Sequence, residues 1–162
     1  MNMKTRTKPI LTYVIFIAIA LAVGGLSAAL NAGKFQTPDL ARPPLSPPAW
    51  LFPIVWTILY TLMGVSGARV WLSGSPAAGD ALFLWAAQLL VNFLWTVFYF
   101  QFQALLLSFF WLLFLILLVI LMVVRFHRID CPAGRLQIPY LIWLCFAAYL
   151  NLATWLLNGS QY

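Results

Sequence analysis

Apolar residues occupy this chain in five long runs, at residues 9–32, 47–72, 80–100, 104–125 and 137–158, separated by short polar breaks. Each run has at least the ~20 residues a helix needs to cross a hydrocarbon layer about 30 Å thick. The polar residues inside them recur at helical rather than alternating spacing. The pattern predicts an all-α polytopic membrane protein, a bundle of five transmembrane helices forming a single domain over residues 1–162. Pro9 is placed at the start of the first helix, where its missing N–H is harmless, and Gly24, Gly25, Ala28 and Ala29 give that helix a small-residue face for close packing. Ser46-Pro47-Pro48 predicts a serine cap and first-turn prolines for the second. The fourth run is almost wholly Leu, Phe, Ile and Val and is expected to face lipid over most of its surface, Trp111 included. Trp50, Trp71, Trp85 and Trp155 fall near predicted helix ends, the usual place of an interfacial aromatic belt. No inverted repeat of the kind found in many secondary transporters is visible.

Three runs carry stripes of neutral polar and aromatic residues. Trp56, Tyr60 and Gly64 recur every four residues on the second, and Gln88, Asn92 and Trp95 follow one another on the third. Tyr140, Trp143, Ala147, Asn151, Thr154 and Asn158 mark the fifth. Amides facing lipid would be costly, so the stripes are expected to face inward. At 1.5 Å per residue, Trp56, Asn92 and Asn151 lie roughly 12 Å below one end of their helices and Trp143 about 12 Å deeper. They could line one chamber with Trp143 as its floor and Gly64 and Ala147 leaving room for a planar apolar ligand. The same amides could equally be staples between helices, each contributing about 0.6 kcal/mol.

Composition narrows the chemistry. With 64% hydrophobic and 7% charged residues, the chain has no Glu and only three Asp, at positions 39, 80 and 130, so no carboxylate pair or acidic metal cage is available. No metal site is assigned, and His127 sits among loop arginines. The excess of positive charge follows the loops rather than a solvated face, which speaks against nucleic acid. Seven cations (Lys4, Arg6, Lys8, Arg69, Arg125, Arg128, Arg135) fall on one side and two (Lys34, Arg42) on the other. The positive-inside rule puts the amino terminus in the cytoplasm and the carboxyl terminus outside. The basic start followed by Ser27-Ala28-Ala29 also resembles a signal peptide, although the apolar run exceeds the ~7–15 residues of a signal core. Cys131 and Cys145 lie at different depths, so no bridge is expected. The loop at residues 33–46, with Pro38, Pro43 and Pro44, is a stiff segment that either covers a site or spaces two helices.

The stretch PPLSPPAWLFPIVWTILYTLMG, Pro43 to Gly64, resembles the signature of the TspO/MBR family of tryptophan-rich sensory and translocator proteins. AAQLLVNFLW (Ala86 to Trp95) and PYLIWLCFAAYLNLATWLLN (Pro139 to Asn158) follow in the family's order and spacing. The resemblance implies a five-helix membrane fold, usually a homodimer, that binds porphyrins such as protoporphyrin IX and needs no cofactor. Its ligand pocket maps onto Pro43, Trp56, Asn92, Trp95, Trp143, Ala147 and Asn151; Tyr60 and Gly64 join them from helical spacing. It further implies a sensor or carrier in a bacterial membrane, with facilitated tetrapyrrole transport, or light- and oxygen-dependent porphyrin breakdown involving Trp56 and Trp143, as alternatives. The chain departs from the family at Gln36-Thr37 and Leu45, where aromatics are common, and at Phe93, Leu94, Thr96 and Val97. It also lacks the carboxyl-terminal sterol motif, so no cholesterol binding is expected.

Overall fold

A computed structural model describes residues 3–34 and 40–159, with side chains from Pro9 onward. Gln36, Thr37, Pro38 and Asp39 of the first loop, and the side chains of Lys4, Arg6 and Lys8, lie outside the described residues. The described chain is helical and without strands: α1 (Met3–Leu30), α2 (Leu51–Leu72), α3 (Ala78–Thr96), α4 (Leu105–Ile129), a short α5 (Cys131–Arg135) and α6 (Ile138–Asn158). Five spans are long and apolar enough to cross a membrane. The protein is therefore an integral, multi-pass membrane protein. Its two ends differ: one holds the α2–α3 turn and α5, the other the first loop and the α3–α4 junction.

Four boundaries differ from the sequence expectation: α4 runs on to Ile129, so Arg125, His127 and Arg128 lie on the helix rather than in a loop, and three others shift for local reasons. α1 begins before Pro9, which lies inside it. α2 begins at Leu51, and Ser46 is not its cap. The Ser46 hydroxyl instead donates to Pro43 O at 2.7 Å, closing a turn with Pro44 second and Leu45 third at φ +66°. Proline second and a positive φ third is the geometry of a type II turn, where glycine usually sits. Pro47 and Pro48 then disfavour helical backbone in the residues before them, which delays the helix. α3 ends in a π-helical turn, Val97–Gln101, rather than running straight to residue 100.

Tight crossings hold α1 to α2. A β-carbon at Gly64 would overlap the backbone of Ile17, one at Gly24 would overlap the Tyr60 ring, and one at Gly67 would lie 2.8 Å from Phe16 Cδ1. α4 contributes a fully buried stripe of Leu105, Ser108, Leu112, Leu115, Val119, Met122 and Phe126 while its opposite face is exposed. Most of its surface outside that stripe is exposed or half-buried, as its composition leads one to expect. Trp111 differs from the expectation: it is half-buried and donates to Val91 O at 2.8 Å, because an indole N–H pointing into hydrocarbon would go unpaired. Trp85 is likewise no belt residue: it is buried and donates to Met63 O at 2.9 Å. Trp50 and Trp71 are exposed.

At the end with α5, Arg69 Nε and Nη2 each reach one Asp130 carboxylate oxygen at 3.0 Å, joining α2 to the α4–α5 turn. Asp130 also caps α5 through Ala133 N–H at 2.7 Å, and Ser66 donates to Ala133 O at 2.7 Å. The Arg69 guanidinium, aided by that N–H, holds the Asp130 carboxyl below its ordinary value of 3.8. The stabilisation is therefore complete above the unfolded pKa and is lost as pH falls through the lower folded value.

Two outcomes follow. Gly64→Ala should lower the thermal midpoint in detergent by an amount equivalent to about 1–3 kcal/mol of overpacking, whereas Gly25→Ala, with open space around its β-carbon, should leave it within error. Asp130→Ala should destabilise by about 1 kcal/mol or more from the lost cap alone; thermal melts across pH should show the gap to wild type closing only below about pH 4.

Candidate functional site

The inward faces of α2, α3 and α6 do not fill the space between them under the first loop. A cavity of about 370 Å³ opens there, walled also by Gly24, Ser27 and Ala28 of α1. Trp56 and Tyr60 come from α2, Trp95 and Thr96 from α3, and Trp143, Ala147, Asn151 and Thr154 from α6. The loop covers it with Leu40, Ala41, Arg42, Pro43, Ser46 and Pro47. Its size falls within the ~300–1,000 Å³ range of small-molecule sites. Trp56 lies about 8 Å into α2, where its ring meets Tyr140, whereas Trp143, one turn further along α6 toward the lid, meets Phe52 at the start of α2; Trp143 is therefore not the floor about 12 Å beneath Trp56 that the sequence led one to expect.

Seven of the nine residues singled out from the sequence border this cavity: Pro43, Trp56, Tyr60, Trp95, Trp143, Ala147 and Asn151. Asn92 does not. It is fully buried behind the wall and donates to Tyr60 Oη at 2.9 Å, so it fixes the ring that the cavity sees. Gly64 lies on the α1-facing side of α2 and makes room for Ile17 rather than for a ligand. The two readings of the amides coincide here. Asn151 accepts from Trp95 Nε1 at 3.3 Å and donates to Leu105 O at 2.9 Å, tying α6 to α3 and to the start of α4 while lining the cavity.

Further wall residues come from irregular backbone and from α1. The π-helical turn swings Tyr99 and Phe100 into the cavity, with ring centroids 4.9 Å apart and Tyr99 5.5 Å from Trp95. Such turns interrupt α-helical spacing, so a four-residue periodicity could not place them. Ser27 and Thr96 share a 2.9 Å hydrogen bond between α1 and α3, and buried Asn31 donates to Thr96 Oγ1 at 3.2 Å. Phe52, Phe146 and Leu150 complete the apolar wall. Their signal was position alone, one turn from residues already in the stripes.

The lid is held down by side chains. Asn158 accepts from Ala41 N–H at 2.9 Å and donates to Ala41 O at 3.1 Å, and Tyr149 donates to Pro44 O at 3.0 Å. The described part of the loop, from residue 40, is thereby fixed over the opening of the cavity. Inside, the indoles differ in commitment. The N–H groups of Trp85, Trp95 and Trp111 are bonded to Met63 O, Asn151 Oδ1 and Val91 O. Those of Trp56 and Trp143 have no partner among the described residues and border the cavity.

This five-span fold, with an aromatic cavity beneath a proline-rich lid, agrees with the comparison by sequence: the TspO/MBR family model matches residues 14–156. The chain belongs to the TspO/MBR family. It is 36% identical over 157 residues to the tryptophan-rich protein TspO of Chlorobaculum tepidum, covering 93% of this chain and 98% of that one. Protein CrtK of Rhodobacter capsulatus is 38% identical over 152 residues, covering 91% and 92%. The human translocator protein is 33% identical over 123 residues, covering 72% and 70%. All the cavity-bordering residues, from Gly24 to Thr154, fall within the span matched by the TspO/MBR model.

Asn158→Leu should release the lid without emptying the bundle. Losing two hydrogen bonds worth about 0.5–1.5 kcal/mol each should raise amide exchange at Ala41 roughly tenfold or more, while exchange in the middle of α4 stays unchanged.

Proposed function

We propose that the cavity receives a planar, largely apolar macrocycle, a porphyrin or related tetrapyrrole, and that the protein works as a membrane sensor or carrier for it. The observation that carries the reading is the pairing of two uncommitted indoles, Trp56 and Trp143, with a closed lid over an aromatic hollow. Flat rings stack on indole faces with about 0.5–1.5 kcal/mol per aromatic pair beyond buried area. The free N–H groups can meet acceptors on a ligand without breaking a bond inside the protein. Apart from exposed Arg42 at the mouth the described lining is neutral, which fits a passive role: among the described residues no carboxylate borders the cavity, and the wall holds no buried charge of the kind found in ion-coupled pumps. The family's names, sensory protein and translocator protein, accord with both the sensing and the carrying forms.

The reading includes an orientation. Arg69, Arg125, Arg128 and Arg135 lie at the end opposite the cavity mouth, which supports a cytoplasmic amino terminus and a mouth on the outer side of a bacterial membrane.

Titrating protoporphyrin IX while following tryptophan fluorescence should show saturable quenching in wild type. Trp143→Phe and Asn151→Leu should weaken binding about threefold to tenfold, in line with one lost aromatic contact, and exposed Trp71→Phe should not. Equal affinity in all four proteins would sink the site. Porphyrin uptake into sealed vesicles would favour the carrier over the sensor form.

A further inference from the structure

Polar atoms around the cavity are almost all used up within the protein. Ser27 and Thr96 bond each other, Ser46 donates to Pro43 O, Thr154 donates to Leu150 O, and Asn151 serves both Trp95 and Leu105. Besides the two free indoles and the Tyr60 hydroxyl, which accepts from Asn92 and donates to no described residue, one strong donor remains. Arg42 is exposed, borders the cavity at its mouth, and has no ion-pair or hydrogen-bond partner among the described residues. It is also the one charged side chain among the described lining residues. The other described cation at this end, Lys34, already donates to Gln101 Oε1. The described carboxylates, Asp80 and Asp130, both lie at the far end of the bundle.

Arg42 is held in place. Both backbone polar groups of Ala41 are bonded to Asn158, and the next residue, Pro43, is buried with a fixed φ. A planar forked cation therefore stands over an apolar, aromatic hollow that presents free donors and, among the described residues, no carboxylate.

We infer that Arg42 is a specificity-determining residue that pairs with a carboxylate on the ligand, so that the site selects planar apolar molecules carrying an acid group at one edge. The inference rests on the reading of the cavity as a tetrapyrrole site. The ligand enters with its apolar body toward Trp143 and its carboxylate left at the mouth. There a guanidinium–carboxylate fork replaces water contacts on both partners, so the charge never has to be carried into the membrane interior. An exposed pair of this kind is a modest attraction and weakens with salt.

Protoporphyrin IX and its dimethyl ester share a macrocycle and differ in charge, which isolates the contribution. Wild type in detergent should bind the acid about fivefold more tightly than the ester, the upper range of an exposed ion pair, and the difference should shrink in high salt. Arg42→Gln should bring the acid to the ester's affinity and leave the ester unchanged, while Arg42→Lys should keep part of the preference. An unchanged acid preference in Arg42→Gln, or an equal loss for both ligands, overturns the inference and leaves the cavity reading intact. An effect of Arg42→Gln confined to membranes containing anionic phospholipid would assign the guanidinium to a lipid phosphate instead, and also overturns it. If wild type binds neither compound, the tetrapyrrole reading itself fails and this one with it.

Discussion

In a hydrocarbon solvent a polar group has no water to fall back on, so every amide, hydroxyl and indole N–H within the bundle needs a partner from the protein or a place at a wetted surface. That constraint shapes this molecule more than hydrophobic burial does, because lipid tails are as apolar as leucine and give little reason for helices to associate. The helices meet where polar side chains or small residues require it. Asn92 ties α3 to Tyr60 of α2, Asn151 ties α6 to α3 and α4, and Ser27 and Asn31 tie α1 to Thr96. Gly24, Gly64 and Gly67 let α1 and α2 touch at the backbone or against rings. The cavity is what remains where these points, together with the apolar core built around α4, leave the helices apart under the lid.

The same constraint explains which parts of the structure were legible in the sequence. Helix number and type were, since length and apolarity alone decide what spans a bilayer. The inward direction of the polar stripes was legible too, because the cost of an amide in lipid is independent of its neighbours. Depth and partner were not. Spacing places Gly64 and Tyr60 on one stripe, yet a helix face is about 100° wide, and Gly64 falls on the side pressed by Ile17. Asn92 shares its stripe with Trp95, but its amide donates to Tyr60 behind the wall and does not reach the cavity. Trp85 and Trp111 look like surface tryptophans until an acceptor appears on a neighbouring helix, a tertiary fact that no local pattern encodes. The late start of α2 comes from a turn at Pro43–Ser46 that outcompetes the helix cap for one hydroxyl.

Polar ties are also spread unevenly around the cavity, and the distribution says where its wall is firm. α1 is joined to α3 by hydroxyl and amide bonds, α6 to α4 by the Asn151 amide, and the lid to α6 by Asn158 and Tyr149. At the end away from the mouth, α2 is anchored through Ser66 to α5, through Arg69 to Asp130 and through Leu62 O to Gln137 Nε2 at 3.4 Å. Between α2 and α6 nearer the mouth, the described contacts are rings: Phe52 on Trp143 at 5.9 Å and Trp56 on Tyr140 at 6.3 Å. An apolar groove that includes Val55, Ile58 and Ile142 lies along this seam, and Trp143 and Phe146 border both it and the cavity.

Aromatic contacts and hydrogen bonds fail differently under displacement, and that difference gives the arrangement its mechanical sense. A hydrogen bond weakens steeply once its angle or length is disturbed, whereas tilted rings can slide while keeping much of their contact. A wall tied by Asn151 and Ser27 therefore keeps its shape, and a wall of Phe52, Trp143 and Phe146 can yield without leaving an unpaired polar group in lipid. The two indoles with free N–H groups stand on α2 and α6, the pair of helices joined by that yielding seam. Leaving Trp56 and Trp143 without a hydrogen bond to the scaffold thus lets this seam yield, and under the proposed function the same freedom would let both rings meet a ligand.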